Sequence, residues 1–379
     1  MKEVYITKTA QFLPNEPVSN EEMGKKLGYL NNSERVQKII LRRNGIKNRH
    51  YAFDDEGNLT HTNAALTYEA IKGLYDEEFT EKDVEIISVG TTSPDQILPA
   101  HAVMVHGLMK EGDKIEINTA AGNCTAGMNA LKYGFMAIKA GLANNAVVAG
   151  SEGISKWLYH DKFEYELDTA KKIEKNPVLA FEKEFIRWML SDGAGAFLLE
   201  SKPNPKNKYN FKIEWIDGQS YANEIETCMY GGAERDEDGE LIPWSAYSSE
   251  QWAEKSIFAI KQDVKLLDKY IISKGAESLK EVIERNNCPA ESIDYFLPHI
   301  SSFYFKDKLM EGLRAIDVNI SDDKLYTNLD RVGNIGAGAS FVMLDELHKT
   351  QNLKKGEKIL LSVPESGRFN YVYALLTVV

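Results

Sequence analysis

Cys124 lies where a predicted strand meets a predicted helix, and a thiol in that position could act as a nucleophile. Residues 114–118 alternate apolar and polar side chains, as a strand does, and apolar residues recur at helical spacing from Met128 onward. A thiol at the head of a helix meets the positive end of the helix dipole and unpaired backbone N–H groups, both of which favour the thiolate. The alternative is structural packing, because free cysteine is among the most buried residue types.

Two polar side chains in the second half could serve such a thiol as a base or a hydrogen-bond donor. Residues 293–300 predict an apolar strand that ends at His299, and residues 326–340 predict a glycine-rich loop that carries Asn334. Each side chain stands beside a regular element that can aim it into a cleft. Taken singly, a satisfied core histidine and a turn asparagine are the more common interpretations of these two residues.

Strand and helix patterns alternate along the whole chain, and they must position these side chains. In the first half we predict strands at 4–12, 84–90, 114–118, 146–150 and 195–200, with helices at 64–74, 102–109 and 125–142. In the second half we predict strands at 211–216, 293–297, 358–363 and 371–378, with helices at 251–286, 304–314 and 340–349. The repeated alternation predicts mixed α/β layers and an internal duplication, divided near the polar stretch 202–208.

Composition narrows the class of protein. A chain of 379 residues with 43% hydrophobic content can bury a large core. Its net charge of −12 argues against nucleic-acid binding, and its three cysteines, far apart and without CxxC spacing, argue against a disulfide framework and a zinc site. We find no apolar run of the roughly 18–20 residues that a membrane span needs and no N-terminal signal, and we expect a cytoplasmic protein.

Three other motifs are weaker. The run from Gly333 to Ser340 lacks the GxGxxG spacing of a dinucleotide loop, so a nicotinamide site is not expected. His101 and His106 are five residues apart and do not share one helical face as a zinc pair would. Glu152, at the end of a predicted strand, could be polar support for a cleft or a base for an enolisable substrate, and we favour support.

Cys124, His299 and Asn334, in this order along the chain, resemble the active site of the thiolase superfamily, most closely its β-ketoacyl-acyl-carrier-protein synthase III branch. The resemblance covers nearly the whole chain and includes the segments VYITKTAQFLPNEPVSNEEM, LRRNGIKNRH, VEIISVGTTSPDQILPAHAVMVHGLM, LSDGAGAFLLE and VGNIGAGASFVMLDEL. It implies the thiolase fold, an α/β architecture of five layers, αβαβα, built from two duplicated halves. The cysteine belongs to the half at 1–203, and the histidine and asparagine belong to the half at 204–379.

The resemblance implies a catalytic triad in which Cys124 takes an acyl group from a thioester. A thiolate forms and breaks a thioester readily, while His299 and Asn334 as donors can stabilise the enolate of a second thioester. The backbone N–H groups of Cys124 and Gly367 would form the oxyanion hole.

The resemblance also implies substrates and partners. Acyl groups would arrive on coenzyme A or an acyl carrier protein, with no metal or other cofactor, and Lys306 and Lys308 are candidates for carrier docking. A homodimer is expected, in which Leu98 caps the acyl pocket of the partner.

Departures from the family pattern favour a narrower subgroup. Ile300-Ser301-Ser302 follows the histidine where the family usually has Gln-Ala-Asn, and VPESGRFNY replaces the C-terminal glycine-rich turn. The runs AFEKEFIRWMLSDGAGA and YANEIETCMYGGAERDEDGELIPW resemble bacterial dialkylresorcinol-pathway ketosynthases, which join a β-ketoacyl thioester to a second acyl thioester and close a cyclohexanedione ring. The alternatives are an ordinary synthase III that uses a malonyl thioester, an inactive partner subunit, and acyl transfer to oxygen or nitrogen.

Overall fold

The computed structural model describes residues 2–28, 34–159 and 186–379, and places nine strands of these ranges in one mixed sheet. In chain order the strands are β1 (Tyr5–Phe12), β2 (Val18–Ser19), β3 (Asn48–Arg49), β4 (Ile86–Thr91), β5 (Glu116–Ala121), β6 (Asn145–Glu152), β7 (Gly193–Glu200), β8 (Phe211–Ser220), β9 (Met229–Tyr230), β10 (Ala233–Arg235), β11 (Leu241–Pro243), β12 (Lys261–Gln262), β13 (Tyr295–Pro298), β14 (Lys358–Glu365) and β15 (Asn370–Val378). The α-helices of the same ranges are α1 (Met23–Leu27), α2 (Glu34–Asn44), α3 (Asn63–Lys72), α4 (His101–His106), α5 (Ala126–Ala140), α6 (Ser249–Glu254), α7 (Val264–Arg285), α8 (Tyr304–Arg314), α9 (Leu329–Val332) and α10 (Ala339–Thr350).

The two halves repeat one strand topology. In the first half, β4 pairs parallel with β6, which pairs antiparallel with β7, and β7 pairs antiparallel with β1. In the second half, β13, β14, β15 and β8 pair in the same order and with the same directions. Within the nine-stranded sheet, the halves join where β1 meets β8, at the pairs Tyr5–Lys212 and Ile6–Phe211. The duplication predicted from the alternating pattern is therefore present in the topology.

Three apolar clusters divide the molecule into five layers. One lies between α3, α4 and the outer face of the first-half strands. The largest buries α5 and α10 between the two groups of strands, with Leu131 and Phe341 fully buried, and the third lies between the second-half strands and α7 and α8. Because each strand group is covered on both faces, its strands are apolar on both faces. The predicted αβαβα fold is confirmed.

Most predicted elements appear within a few residues of their expected bounds, but the helix predicted at 251–286 is wrong. The chain forms α6 and α7 instead, separated by a turn and by β12. Asp263 ends this connection, and its carboxylate accepts hydrogen bonds from the backbone N–H groups of Lys265 and Leu266, at 3.0 and 2.9 Å, to cap α7. Among the described residues, no helix is both long and apolar enough to span a membrane.

Candidate active site

Cys124 lies in the turn between β5 and α5, two residues before the helix begins at Ala126. This position agrees with the strand–turn–helix pattern predicted from the sequence. Asn370, the first residue of β15, donates a hydrogen bond from Nδ2 to Oγ1 of Thr125 at 3.1 Å. The turn that carries the thiol is thus tied to the second-half sheet.

The surroundings of Cys124 oppose ionisation of its thiol. Burial raises the pKa of the thiol, and the nearby carboxylates of Glu152 and Glu365 raise that pKa further. The lower pKa expected from the helix dipole alone is therefore not found, because desolvation and two acidic neighbours outweigh it. Reaction with a thioester must then remove the thiol proton as the new carbon–sulfur bond forms.

His299 directly follows β13, and its backbone N–H donates to the carbonyl oxygen of Ser362 in β14 at 2.8 Å. Burial lowers the pKa of its imidazole to about 4, so the ring is neutral at pH 7. A neutral imidazole donates from one ring nitrogen and accepts at the other. His299 and Cys124 line the same cavity of about 60 Å3, whose other walls are largely apolar.

Asn334 is held rigidly by its backbone and by its own side chain. Its N–H donates to the carbonyl oxygen of Met189 at 3.1 Å, and its carbonyl oxygen accepts from the N–H of Ser191 at 2.9 Å. Its Oδ1 accepts from the N–H of Gly336 at 2.9 Å. Among the described residues, Nδ2 has no hydrogen-bond partner, and it can therefore act as a donor to a substrate oxygen.

Close backbone contact brings the Asn334 loop to the first turn of α5. A Cβ on Gly127 or on Gly150 would lie 2.1 Å from the carbonyl oxygen of Ala337, so no larger residue fits at either position without a shift. The first turn of α5 starts two residues after Cys124. The structure thus places Cys124 and His299 in one cavity and brings the Asn334 loop against α5, while the three residues as a catalytic triad stay a prediction.

Glu152 joins two loops of this region. Its Oε1 accepts from Thr92 N at 3.2 Å, Thr92 Oγ1 at 2.6 Å and Ala337 N at 3.1 Å, and its Oε2 accepts from Ser93 Oγ at 2.6 Å. Burial raises the pKa of this carboxyl group. With both oxygens occupied, Glu152 fits the supporting role favoured from the sequence.

The predicted oxyanion donor Gly367 is already engaged by a carboxylate. Its backbone N–H donates to Oε1 of Glu365, and its carbonyl oxygen accepts from the N–H groups of Cys228 and Met229 at 2.7 and 3.1 Å. A Cβ on Gly367 would lie 1.9 Å from Nδ2 of Asn123, so a larger residue would have to displace that side chain. The role of this N–H in an oxyanion hole stays a prediction, and it would require a substrate oxygen to take the place of the Glu365 carboxylate.

Sequence reasoning missed Glu365 itself. The only signal in the sequence is an acidic residue two positions before the glycine in VPESGRFNY. The contact depends on the fold of the turn after β14, which the pattern of residues does not reveal.

A second and larger cavity, of about 1030 Å3, reaches the same turn from Gly122 and Asn123. Its walls are rich in aromatic side chains. Trp244, Trp252 and Phe258 pack against one another with ring centroids 5.6 to 6.1 Å apart. Two cavities therefore border the turn that carries Cys124.

The residues predicted to contact partners lie at the surface. Lys306 lines a surface cleft with Lys47, and Lys308 forms an ion pair with Asp268, Nζ to Oδ1, at 2.6 Å. Leu98 is 82% exposed. Carrier docking, the homodimer and the capping role of Leu98 stay predictions.

Comparison with known proteins agrees with the fold. Residues 283–368 match the family model described as 3-oxoacyl-[acyl-carrier-protein (ACP)] synthase III C terminal. The chain is 26% identical over 360 residues to the β-ketoacyl-[acyl-carrier-protein] synthase III of Chlorobaculum tepidum, covering 94% of each protein. Among solved structures, the TM-score with AbyA1, a tetronic acid condensing enzyme, is 0.75, at 20% identity over 98% of this chain and 99% of that chain. The TM-score with the 3-oxoacyl-[acyl-carrier-protein] synthase III of Aquifex aeolicus is 0.68, at 19% identity over 99% of each chain. The chain thus has the thiolase-superfamily fold and is similar, over almost its whole length, to β-ketoacyl-acyl-carrier-protein synthases III.

Proposed function

We propose that this protein is an acyltransferase that forms carbon–carbon bonds between acyl thioesters through an acyl-Cys124 intermediate. The observation that carries the proposal is the shared cavity of Cys124 and His299 at the ends of two rigid elements. The full-length similarity to proteins named β-ketoacyl-acyl-carrier-protein synthase III supports the same reaction class.

In the first half-reaction, the sulfur of Cys124 attacks the carbonyl carbon of the donor thioester. Because the pKa of the thiol is raised, its proton leaves as the carbon–sulfur bond forms. The bond between the donor carbonyl carbon and its own sulfur breaks, and the departing thiolate of coenzyme A or the carrier takes up that proton.

In the second half-reaction, a second thioester becomes an enolate that attacks the acyl group on Cys124. One N–H of His299 and Nδ2 of Asn334 would donate to the enolate oxygen. Donors of this kind, fixed before the reaction, are each worth about 2.7–4 kcal/mol of barrier. Their rigidity follows from the backbone hydrogen bonds that hold both residues.

The finer proposal is that a β-ketoacyl thioester is joined to a second acyl thioester to give a cyclohexanedione, the precursor of a dialkylresorcinol. Two cavities border the Cys124 turn, which suits two acyl units better than one acyl unit and a small malonyl group. The similarity of YANEIETCMYGGAERDEDGELIPW to that subgroup supports it. Residues 180–185 of the other run, AFEKEFIRWMLSDGAGA, lie outside the described residues.

An ordinary synthase III that condenses its acyl group with a malonyl thioester is the second candidate. The names of the relatives and the matched C-terminal family model favour it. An inactive partner subunit is less favoured, because Cys124, His299 and Asn334 are all present. Transfer to oxygen or nitrogen is less favoured because two donors at one oxygen suit enolate stabilisation.

The test is incubation of the purified protein with single acyl thioesters and then with pairs that include a β-ketoacyl thioester. Intact protein mass and small-molecule products are followed together, with Cys124→Ala as the control that cannot be acylated. An acyl mass on Cys124 and a cyclic dione from the pair would support the finer proposal. Turnover with a malonyl thioester alone would favour the ordinary synthase, and the absence of any adduct would favour the inactive partner.

A further inference from the structure

Glu365 ends β14, and its carboxylate lies among groups suited to hold an oxyanion. Its Oε1 accepts hydrogen bonds from the backbone N–H of Gly367, from the N–H of Arg368 at 3.2 Å and from Nδ2 of Asn123 at 2.8 Å. Three donors at one oxygen fix that end of the carboxylate. The side chain is 8% exposed and therefore nearly excluded from bulk water.

The position of Glu365 links both parts of the candidate site. Asn123, which holds its Oε1, directly precedes Cys124 in the chain. Pro364 and Ser366, on either side of Glu365, line the cavity that contains Cys124 and His299. The negative charge of the side chain also acts on the thiol. The hydrogen bond from Asn123 thus holds the carboxylate of Glu365 beside the turn that carries Cys124.

The two carboxylates near Cys124 differ in how their oxygens are used. Glu152 accepts hydrogen bonds at both oxygens, so each end of its carboxylate is held by a donor. In contrast, Oε2 of Glu365 has no hydrogen-bond partner among residues 2–28, 34–159 and 186–379. One oxygen of Glu365 is therefore anchored, and the other is available to take a proton.

Enolate formation requires a base in one type of condensation only. A malonyl thioester yields its enolate by losing carbon dioxide, so no C–H bond has to break. A thioester without a carboxyl group on its α-carbon must instead lose an α-proton, and a general base held in position contributes typically 10²–10⁴-fold to such a step. The reaction proposed above, between a β-ketoacyl and an acyl thioester, belongs to the second type.

We propose that Glu365 is the base that removes the α-proton of the second thioester in a condensation without loss of carbon dioxide. This inference rests on the proposed function. The α C–H bond breaks, Oε2 takes the proton, and the electron pair becomes an enolate whose oxygen accepts from His299 and Asn334. The α-carbon then attacks the acyl carbonyl, the bond to the sulfur of Cys124 breaks, and the proton on Glu365 passes to the departing thiolate.

The test separates acylation from condensation. Glu365→Gln keeps the size of the side chain and an acceptor for the N–H of Gly367, but removes the base. Glu311→Gln, an exposed position on α8, is the matched control for the change in net charge. Each protein is acylated with one thioester, followed by intact mass, and then mixed with a second thioester that lacks an α-carboxyl group.

We expect Glu365→Gln to form the acyl enzyme and to condense at least about 100-fold more slowly than the wild type and Glu311→Gln. Condensation at the wild-type rate would overturn the role of Glu365. If the wild type itself condensed with malonyl thioester alone, the proposed pairing of substrates would fail, which is a different result.

A second measurement decides the case if Glu365→Gln is not acylated. Cys124→Ala cannot form the acyl enzyme, yet it should still exchange the α-hydrogen of the second thioester in D2O faster than buffer does. If exchange falls to the buffer rate in the double variant Cys124→Ala/Glu365→Gln, the result would support Glu365 as the base that removes the α-proton. Exchange that persists in the double variant would exclude it.

Discussion

Cys124 and His299 share one physical constraint at the scale of single residues, because the same burial that keeps the imidazole neutral also keeps the thiol protonated. An uncharged pair costs less to bury than an ion pair without further partners. The site therefore holds no preformed thiolate–imidazolium pair, and the approach of a thioester must drive the proton transfer.

Substitution of the three candidate catalytic residues should separate the two half-reactions. We expect Cys124→Ala to abolish acylation, whereas His299→Ala and Asn334→Ala should still be acylated but lose condensation by about 10²–10³-fold each, because each removes a donor to the enolate. Intact mass measures acylation, and product formation from the isolated acyl enzyme measures condensation. A His299→Ala enzyme that condensed normally would contradict the assignment.

The reactivity of the Cys124 thiol should report its acidic neighbours. Removal of a nearby negative charge favours the thiolate, so Glu365→Gln should lower the pKa of Cys124 and increase its rate of alkylation by iodoacetamide near pH 8. Peptide mapping distinguishes Cys124 from the buried Cys228 and Cys288. An unchanged pH profile for Glu365→Gln, equal to that of Glu311→Gln, would show that the charge of Glu365 does not act on the thiol.

At the scale of elements, the sequence patterns predicted most helix and strand positions, because these depend mainly on neighbouring residues. The amphipathic stretch at 304–314 predicted the observed bounds of α8, and the alternation at 114–118 predicted β5 to within three residues at each end. The break between α6 and α7 was missed because the residues around it are compatible with a continuous helix. The hydrogen bond from the backbone N–H of Gly367 to the carboxylate of Glu365 could not be predicted, since it depends on the shape of the turn between β14 and β15.

Backbone contact between elements sets the position of the Asn334 loop, and it gives a prediction for glycine. Gly150→Ala should destabilise the protein by about 1–3 kcal/mol, because the new Cβ would lie 2.1 Å from the carbonyl oxygen of Ala337 and must push the loop away from β6. Gly112→Ala is the control, since its Cβ would be at least 3.4 Å from its neighbours. Urea unfolding measures both variants, and equal midpoints would refute the packing argument.

For the whole molecule, the duplicated fold explains how loops from both halves reach the region of Cys124. Each half contributes one central helix, α5 or α10, and the loops that precede these helices carry Cys124 and Asn334. His299 comes from β13, the counterpart of β4 in the repeat. The order of the three residues resembled one active site, and the stacking of the two halves brings the loops that carry Cys124 and Asn334 to the same central layer.

Buried neutral histidines should make the stability of the whole molecule depend on pH. Burial lowers the pKa of His101 to about 4 from 6.5, and the same cause lowers that of His299 to about 4. As the pH falls, both histidines take up protons in the unfolded chain at a higher pH than in the folded protein. The free energy of unfolding therefore decreases between about pH 6.5 and 4, by about 3 kcal/mol for each histidine. Asp192 acts in the opposite direction, because burial raises its pKa to about 6 and the folded protein then binds the proton more tightly than the unfolded chain does.

Comparison of the wild type with His101→Asn isolates one histidine from these opposing contributions. His101 contacts Oγ1 of Thr67 at 3.0 Å and Oγ of Ser151 at 3.3 Å through Nε2, and asparagine retains a polar group there without a titratable one. We expect the free energy of unfolding of the variant to fall less steeply between pH 6.5 and 4, by up to about 3 kcal/mol over that interval. Urea unfolding at several pH values gives both curves. Parallel curves would mean that His101 binds its proton equally in the folded and unfolded chains. Its burial beside β6 should prevent this, since an imidazolium there would lose more by desolvation than it gains from the nearby carboxylate of Asp95.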